Sequence, residues 1–308
     1  MIPEFPDFKP LGPEDRQTLL EAYAASGLTT CDVSPTNLYL WRDCQTPKLT
    51  RIRSNLCVLL ESHAEAAYFL PPLGNDGLQE TVRICLGHVG QLSRVPASMA
   101  MHLPRGEFVV TPQRDSFDYI YRVQALAELK GKAFDGKRNH IRKFTRLYPQ
   151  YEFRILEHSQ LHHAGALFDA WTSAREHSRS VNLAVPAISH DCQRRALERA
   201  FEDYAFLGLI GGALLVDGEM RGFVVASRGF GDNIIAHFSY ADARMPGVYQ
   251  TLLWEACRRL FSAFTFLNLE EDLGIPGLRK TKLSWQPLKL EEKYLVTPHT
   301  APASRSSE

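Results

Sequence analysis

The sequence predicts an α/β chain, more narrowly a mixed-sheet α+β protein, folded as two successive lobes. Three observations lead there. The chain has 308 residues, about twice the roughly 150 residues of a common domain. Strand-like and helix-like segments alternate through its first half, and the alternation begins again near residue 157. Charged residues make up 23% and the hydrophobic set 44%, proportions of an ordinary globular protein. Lys+Arg and Asp+Glu each number 35. That balance argues against a general nucleic-acid coat protein and a DNA partner, and leaves room for a local basic groove.

Pro13–Ala25 reads as a first helix with Leu19, Leu20 and Tyr23 on one face. Asp32–Trp41 reads as a turn and an aromatic segment, and Lys48–Leu60 and Ala66–Leu70 as strands. After a Pro- and Gly-rich break, Leu78–Leu92 has a helical period. Tyr151–Leu156 is expected to close the first lobe. Leu161–Arg175 and His190–Tyr204 read as helices, Leu207–Val216 and Met220–Arg228 as a hairpin around Asp217-Gly218, and Ile234–Tyr240 as a third strand. A loop, Ala241–Gly247, precedes a helix near Val248–Leu260, and Phe264–Leu269 is the last strand. Two antiparallel strands, a third, a loop, a helix and one more strand follow the order of a GNAT acyltransferase core, a fold analogy. The expected lobes are 1–157 and 158–296, the second with the active site, and 297–308 is expected to be a disordered tail.

The opening MIPEFPDFKPLGPEDR lacks a basic start and an apolar run, so it does not read as a signal peptide. The longest apolar stretch, Ala205–Val216, is shorter than the ~20 residues of a membrane-spanning helix. A cytoplasmic protein, acting on lipid only from the membrane surface, is the expectation. The six cysteines show no CxxC spacing, which reads as reduced thiols without a metal role.

Three segments carry candidate chemistry. Leu129–Arg146 holds Lys130, Lys132, Lys137, Arg138, Arg142, Lys143 and Arg146 against the single acid Asp135. As a helix its basic face, with Asn139, suits phosphates of a lipid headgroup, a nucleotide or tRNA, while Ile141, Phe144 and Leu147 anchor the other side. Asn268–Trp285 places Glu270, Glu271 and Asp272 at a strand end, where one of them can serve as general base. Arg279, Lys280, Lys282 and Ser284 follow as binders of a substrate phosphate or carboxylate, or as ion-pair partners of those acids. The third is the loop to Gly247 and Tyr249, a helix N-terminus at which an acyl-CoA pyrophosphate would lie; Pro246 there has no N–H to donate. His162 and His163 read as surface residues, and His237 as a packed or hydrogen-bonded strand histidine. The sequence has no HExxH, GxSxG or GxxxxGK[ST] pattern, which argues against a zinc protease, an α/β-hydrolase and a P-loop enzyme.

Asp118-Tyr119-Ile120-Tyr121, Leu126, Leu129-Lys130-Gly131-Lys132 and Lys137-Arg138-Asn139 form one motif. Glu270-Glu271-Asp272-Leu273-Gly274, Gly277-Leu278-Arg279-Lys280 and Lys282-Leu283-Ser284 form another. With Gly247-Val248-Tyr249-Gln250 and Lys293-Tyr294, they resemble the C-terminal domain family of phosphatidylglycerol lysyltransferase (lysylphosphatidylglycerol synthetase) over about Phe5 to Tyr294. The resemblance implies two GNAT-like lobes in tandem and, in membrane-bound members, aminoacyl transfer from aminoacyl-tRNA to phosphatidylglycerol. It implies Lys137, Arg138, Glu271, Asp272, Arg279 and Lys282 as residues lining the substrate region. The sequence departs from the family pattern at Ser239-Tyr240, where relatives have a Glu-Lys pair, and at Leu269. The expectation is an acyl- or aminoacyltransferase with no tightly bound cofactor, using aminoacyl-tRNA or acyl-CoA as donor. The alternatives are an acyl-CoA-dependent N-acyltransferase of a small metabolite and a non-catalytic binder of tRNA or anionic lipid.

Overall fold

A computed structural model describes residues 1–62, 65–178 and 190–299. It divides into two compact units, Met1–Phe117 with Glu291–Glu308, and Asp118–Leu290. The expected division at residue 157 therefore moves forty residues towards the N-terminus, for reasons the strand order makes plain.

In the first unit β1 (Lys9–Pro10) is followed by helices α1 (Arg16–Ser26), α2 (Pro35–Leu40) and α3 (Arg42–Gln45). Helix α2 forms within the segment expected as a turn and an aromatic stretch. The Ser34 hydroxyl accepts from the Asn37 amide at 3.1 Å and Pro35 stands in the first turn, a paired start signal that outweighs the aromatic content. Strands β2 (Lys48–Ile52) and β3 (Asn55–Leu60) form a hairpin, and β4 (Tyr68–Phe69), helix α4 (Leu78–Val89), β5 (Leu92–Pro96), helix α5 (Ala97–Ala100) and β6 (Phe108–Pro112) follow.

The second unit begins with β7 (Asp118–Arg122), helix α6 (Val123–Glu128), helix α7 (Asp135–Leu147) and β8 (Glu152–Ile155). Helices α8 (Leu161–Ser178) and α9 (His190–Glu202) precede the strands β9 (Ile210–Val216), β10 (Glu219–Arg228) and β11 (Asn233–Ala241). Helix α10 (Val248–Glu255), ending in a π-helical turn, then leads to β12 (Phe266–Asn268), helix α11 (Pro276–Leu283) and β13 (Lys289–Glu291). Strand β14 (Lys293–Pro298) returns to the first unit, so residues 297 and 298 are strand where a tail was expected. The expected tail from 300 onward lies outside the described residues.

The sheets run β1-β2-β3-β4-β5-β14-β6 and β8-β9-β10-β11-β12-β7-β13. Position by position the two orders correspond. In each, successive antiparallel neighbours lead to a parallel pair, β4–β5 or β11–β12, joined through a helix, α4 or α10. The first sheet also takes one strand from beyond its own N-terminal segment: β14, which follows the second unit in the chain, lies between β5 and β6. Strand β8, expected to close the first lobe, instead pairs with β9, Glu152 opposite Leu215. The order expected of a GNAT core thus occurs twice.

On one face of the second sheet Val224, Ala226, Ile234 and Ala236 join Val248, Leu252 and Ala256 of the α10 region and Ile141 and Phe144 of α7 in one core. A fully buried side chain such as Phe144 (0% exposed) contributes ~2–3 kcal/mol. On the opposite face Phe168 and Trp171 of α8 make edge contacts with Tyr240, ring centroids 4.9 Å apart in both cases. Tyr240 is therefore an aromatic packing residue that also donates to Gln193 Oε1 at 3.2 Å. Cys31, Cys57, Cys85 and Cys257 are free and buried.

Candidate functional site

Strands β11 and β12 pair in parallel only through Asn233↔Phe266, Ile234↔Leu267 and Ile235↔Asn268. Beyond those residues β11 continues to Ala241 while β12 ends, so the two strands part. His237 lies just past the last pair. It has no partner in the β10–β11 register, which steps from Val225↔Phe238 to Ala226↔Ala236. An extra residue of this kind re-aims a side chain. The His237 imidazole is fully buried, with Nε2 2.8 Å from Ser227 Oγ and Nδ1 2.9 Å from Glu270 Oε1. Glu270 is 19% exposed at its side chain, and among the described residues its second carboxylate oxygen has no protein partner. The expectation of a packed or hydrogen-bonded His237 holds, but its partners have no local signature: Ser227, paired with Ile235, is an ordinary strand serine until folding brings its hydroxyl to the bulge residue.

The three acids have different surroundings. Asp272 is fully buried. Its oxygens accept from Arg279 Nε at 2.9 Å and a terminal Arg279 nitrogen at 2.8 Å, from the Tyr119 hydroxyl at 2.6 Å and from the Gly274 amide at 2.9 Å. Burial pushes its pKa up, and the bonds from Arg279, Tyr119 and Gly274 outweigh that and hold it at about 2. A carboxylate so tied is a poor general base, so the geometry gives Asp272 and Arg279 a bracing role. Lys282 donates to the carbonyl of Leu269 at 2.6 Å and to those of Glu270 and Glu271. It too holds the loop rather than standing ready for a phosphate. Glu271 is half-buried. Tethering of this kind sustains the positive φ of Glu270 (56°) and Leu273 (54°), a conformation costly for residues with a side chain.

The basic segment forms helix α7 as expected, but its cations divide. Lys137, Ile141 and Phe144 lie at i, i+4 and i+7, one stripe that turns inward. Lys137 is 8% exposed, donates to Ser284 Oγ at 2.6 Å and stands 4.4 Å from the centroid of the Trp285 ring. Burial pushes its pKa down to about 8. It links α7 to the end of α11 and is not a surface phosphate binder. Arg138 is also occupied, donating to the carbonyls of Leu129 and Gly131 and pairing with Asp135. Lys130 is exposed and pairs with Glu128 at 2.9 Å. Asn139, Arg142, Lys143 and Arg146 line one shallow cavity of about 370 Å³, and no carboxylate pairs with these three cations among the described residues. Lys132 is likewise exposed and unpaired. Leu147, expected to anchor the helix, is 48% exposed at its end.

Pro276, Arg279, Lys280, Leu283 and Ser284 line a second cavity on α11, of about 530 Å³, with Lys280 exposed. Gly247 does start α10, with φ 89°. A Cβ on it would meet the His140 carbonyl oxygen at 2.3 Å, so the glycine permits α7 and α10 to approach each other. Half-buried Tyr249 packs against the core rather than opening a pyrophosphate site. The structure thus connects α7 through Lys137 and Ser284 to α11, and α11 through Arg279 and Lys282 to the loop carrying Glu270. It does not assemble the expected residues into one pocket.

No described helix is long and apolar enough to cross a membrane. A crystal structure of a conserved protein of unknown function from Bacteroides thetaiotaomicron is similar at 30% identity and TM-score 0.86, covering 97% of this chain and 100% of that one. L-PGS from Bacillus licheniformis is similar at 15% identity and TM-score 0.64, over 98% of this chain and 95% of that one. So is the C-terminal domain (DUF2156) of a protein assigned as lysylphosphatidylglycerol synthetase from Agrobacterium fabrum, at 14% identity and TM-score 0.62, over 92% and 93%. An uncharacterized protein of Mycoplasmoides gallisepticum is 24% identical over 182 residues, 59% of this chain, and the match spans only 56% of that protein. Residues 23–297 match the family described as phosphatidylglycerol lysyltransferase, C-terminal, and the chain belongs to that family.

Proposed function

We propose that the second unit catalyses acyl transfer, moving an aminoacyl or acyl group from an activated ester or thioester to a hydroxyl or amine, with Glu270 as general base. The observation that carries this reading is the half-buried Glu270 carboxylate at the parting of β11 and β12, one oxygen held by His237 and the other open. A base in that position takes the acceptor proton as the new acyl bond forms. Family membership favours an aminoacyl-tRNA donor and a phosphatidylglycerol acceptor. The unpaired Arg142, Lys143 and Arg146 supply a place for the phosphates that either molecule carries.

A second reading has its own support. The same three cations line a shallow cavity with no acid in its lining, a feature that suits a purely binding protein for tRNA or anionic lipid. The test is transfer of radiolabelled amino acid from aminoacyl-tRNAs to phosphatidylglycerol vesicles, run beside a panel of acyl-CoA thioesters with small amine acceptors. Melting temperatures with each donor, read in parallel, report binding by mass action. Labelled lipid formed by the wild type and lost in Glu270→Gln supports aminoacyl transfer. A melting shift and product with CoA thioesters alone moves the assignment to a small-metabolite acyltransferase. Salt-sensitive tRNA or vesicle binding with no product from any donor sinks catalysis and leaves the binding protein.

A further inference from the structure

We infer that Ser227 and His237 are positioning residues for Glu270, a buried hydrogen-bonded relay that orients this carboxylate as the base; the inference rests on the acyl-transfer reading. The relay follows from what each atom can do. An ionised Glu270 only accepts, so the His237 nitrogen facing it at 2.9 Å, Nδ1, carries the proton. In the neutral ring Nε2 is then the acceptor, and the hydroxyl 2.8 Å away, Ser227 Oγ, donates to it. One tautomer therefore satisfies every polar atom of a fully buried imidazole. The order of burial assigns the roles. Ser227 is 2% exposed, and the His237 ring is closed to solvent, so neither touches a substrate. Glu270 is the member of the three that reaches the surface.

The backbone acts in the same direction. His237 is the extra residue of the β10–β11 bulge. The Glu270 amide is tied to Asn268 Oδ1 at 2.7 Å, and its carbonyl to Lys282. Asn268 is itself anchored to Asp118 at 3.0 Å. The carboxylate is thus held at its backbone and at Oε1, which leaves Oε2 for chemistry. As the acceptor's oxygen or nitrogen bonds to the acyl carbon, its proton passes to Oε2. The leaving oxygen or sulfur departs with the electron pair of the broken bond and recovers that proton, returning Glu270 to its carboxylate form.

Two measurements on the full chain test this. Long-range proton–nitrogen NMR of the ¹⁵N-histidine-labelled protein reads the tautomer without any substrate. We expect His237 as the Nδ1–H form, with its signals displaced in Glu270→Gln and in Ser227→Ala. In the transfer assay His237→Leu should lower kcat about 100-fold with KM unchanged, the size of a disabled general base. His237→Asn, whose amide N–H replaces Nδ1–H, should restore kcat to within about fivefold of wild type. Ser227→Ala should fall between them, and melting temperatures establish that each variant is folded. An Nε2–H tautomer overturns the relay, as does a folded His237→Leu at the wild-type rate or a His237→Asn no better than His237→Leu. Failure of the underlying reading looks different. There the NMR gives the Nδ1–H form while the wild type transfers nothing from any donor, and the catalytic role falls with the reading.

Discussion

In the first unit the parallel strands β4 and β5 meet at Phe69 and Leu92, and two residues further on stand Pro71 and Arg94. In the second, β11 and β12 part after Ile235 and Asn268, and two residues further on stand His237 and Glu270. Arg94 and Glu270 share a backbone oddity, φ of 62° and 56°. Their surroundings have little in common. Arg94 pairs with Asp32 at 3.6 Å and Glu65 at 3.4 Å, while Glu270 keeps an oxygen open. The same fold element in one unit has its charge absorbed by ion pairs and in the other leaves part of it exposed where the strands part. Strand order fixes where such a residue stands, and the neighbouring side chains decide whether it is available for chemistry.

The largest expected effect tests that contrast directly. Glu270→Gln should lower acyl transfer by about 100-fold or more, ~3 kcal/mol or above, and Arg94→Gln should leave the rate within about twofold. Equal losses in the two variants, both folded, would break the comparison.

Each unit also buries a lysine. Lys293 is fully buried and paired with Asp32, whereas among the described residues Lys137 has only Ser284 and the Trp285 ring. Removing one member of a buried pair costs roughly 3–5 kcal/mol, somewhat less here because Arg94 also reaches Asp32. Lys293→Met should therefore lower the urea midpoint strongly. Lys137→Met should raise it near neutral pH, because the folded pKa of about 8 lies below the ordinary 10.5. The unfolded chain binds more protons between those values, so wild-type stability should climb as pH rises through about 8 towards 10.5, and Lys137→Met should flatten that slope.

Backbone strain gives a third probe. Gly247→Ala should destabilise the protein by about 2–3 kcal/mol, since alanine at φ 89° is strained and its Cβ would meet the His140 carbonyl. Gly27→Ala, at φ 69° but with nothing within 4 Å, should cost about 1 kcal/mol.

At acid pH the pair of Asp272 and Arg279 should be visible. The folded pKa of about 2 lies below the ordinary 3.8, so the associated ~2 kcal/mol is present above about pH 4 and lost as pH falls towards 2. Asp272→Asn should remove that part of the acid-unfolding slope. The smallest effect belongs to the surface: Arg142→Gln with Lys143→Gln should weaken tRNA or anionic-vesicle binding by about 1 kcal/mol per charge at low salt, and shrink the salt dependence.

Periodicity and turn chemistry in the sequence determined much of the second unit. The hairpin at Asp217-Gly218, the third strand, the helix after Gly247 and the amphipathic α7 are local patterns, and each element forms within a few residues of its expected place. The family motifs were likewise legible, and they contain the loop that carries Glu270. The sequence also contained, unread, the reason Lys137 goes inside: it lies on the stripe of Ile141 and Phe144. Only the tertiary structure decided which charges are free. Arg138, Arg279 and Lys282 look like phosphate ligands in one dimension and turn out to hold carbonyls and a carboxylate. The insertion of β14 into the first sheet, the place of β7 in the second, and the meeting of Ser227, His237 and Glu270 depend on pairings between separate segments of the chain. No local pattern encodes them, because sheet register is set by the burial of whole faces and a bulge is the residue left over once that burial is satisfied.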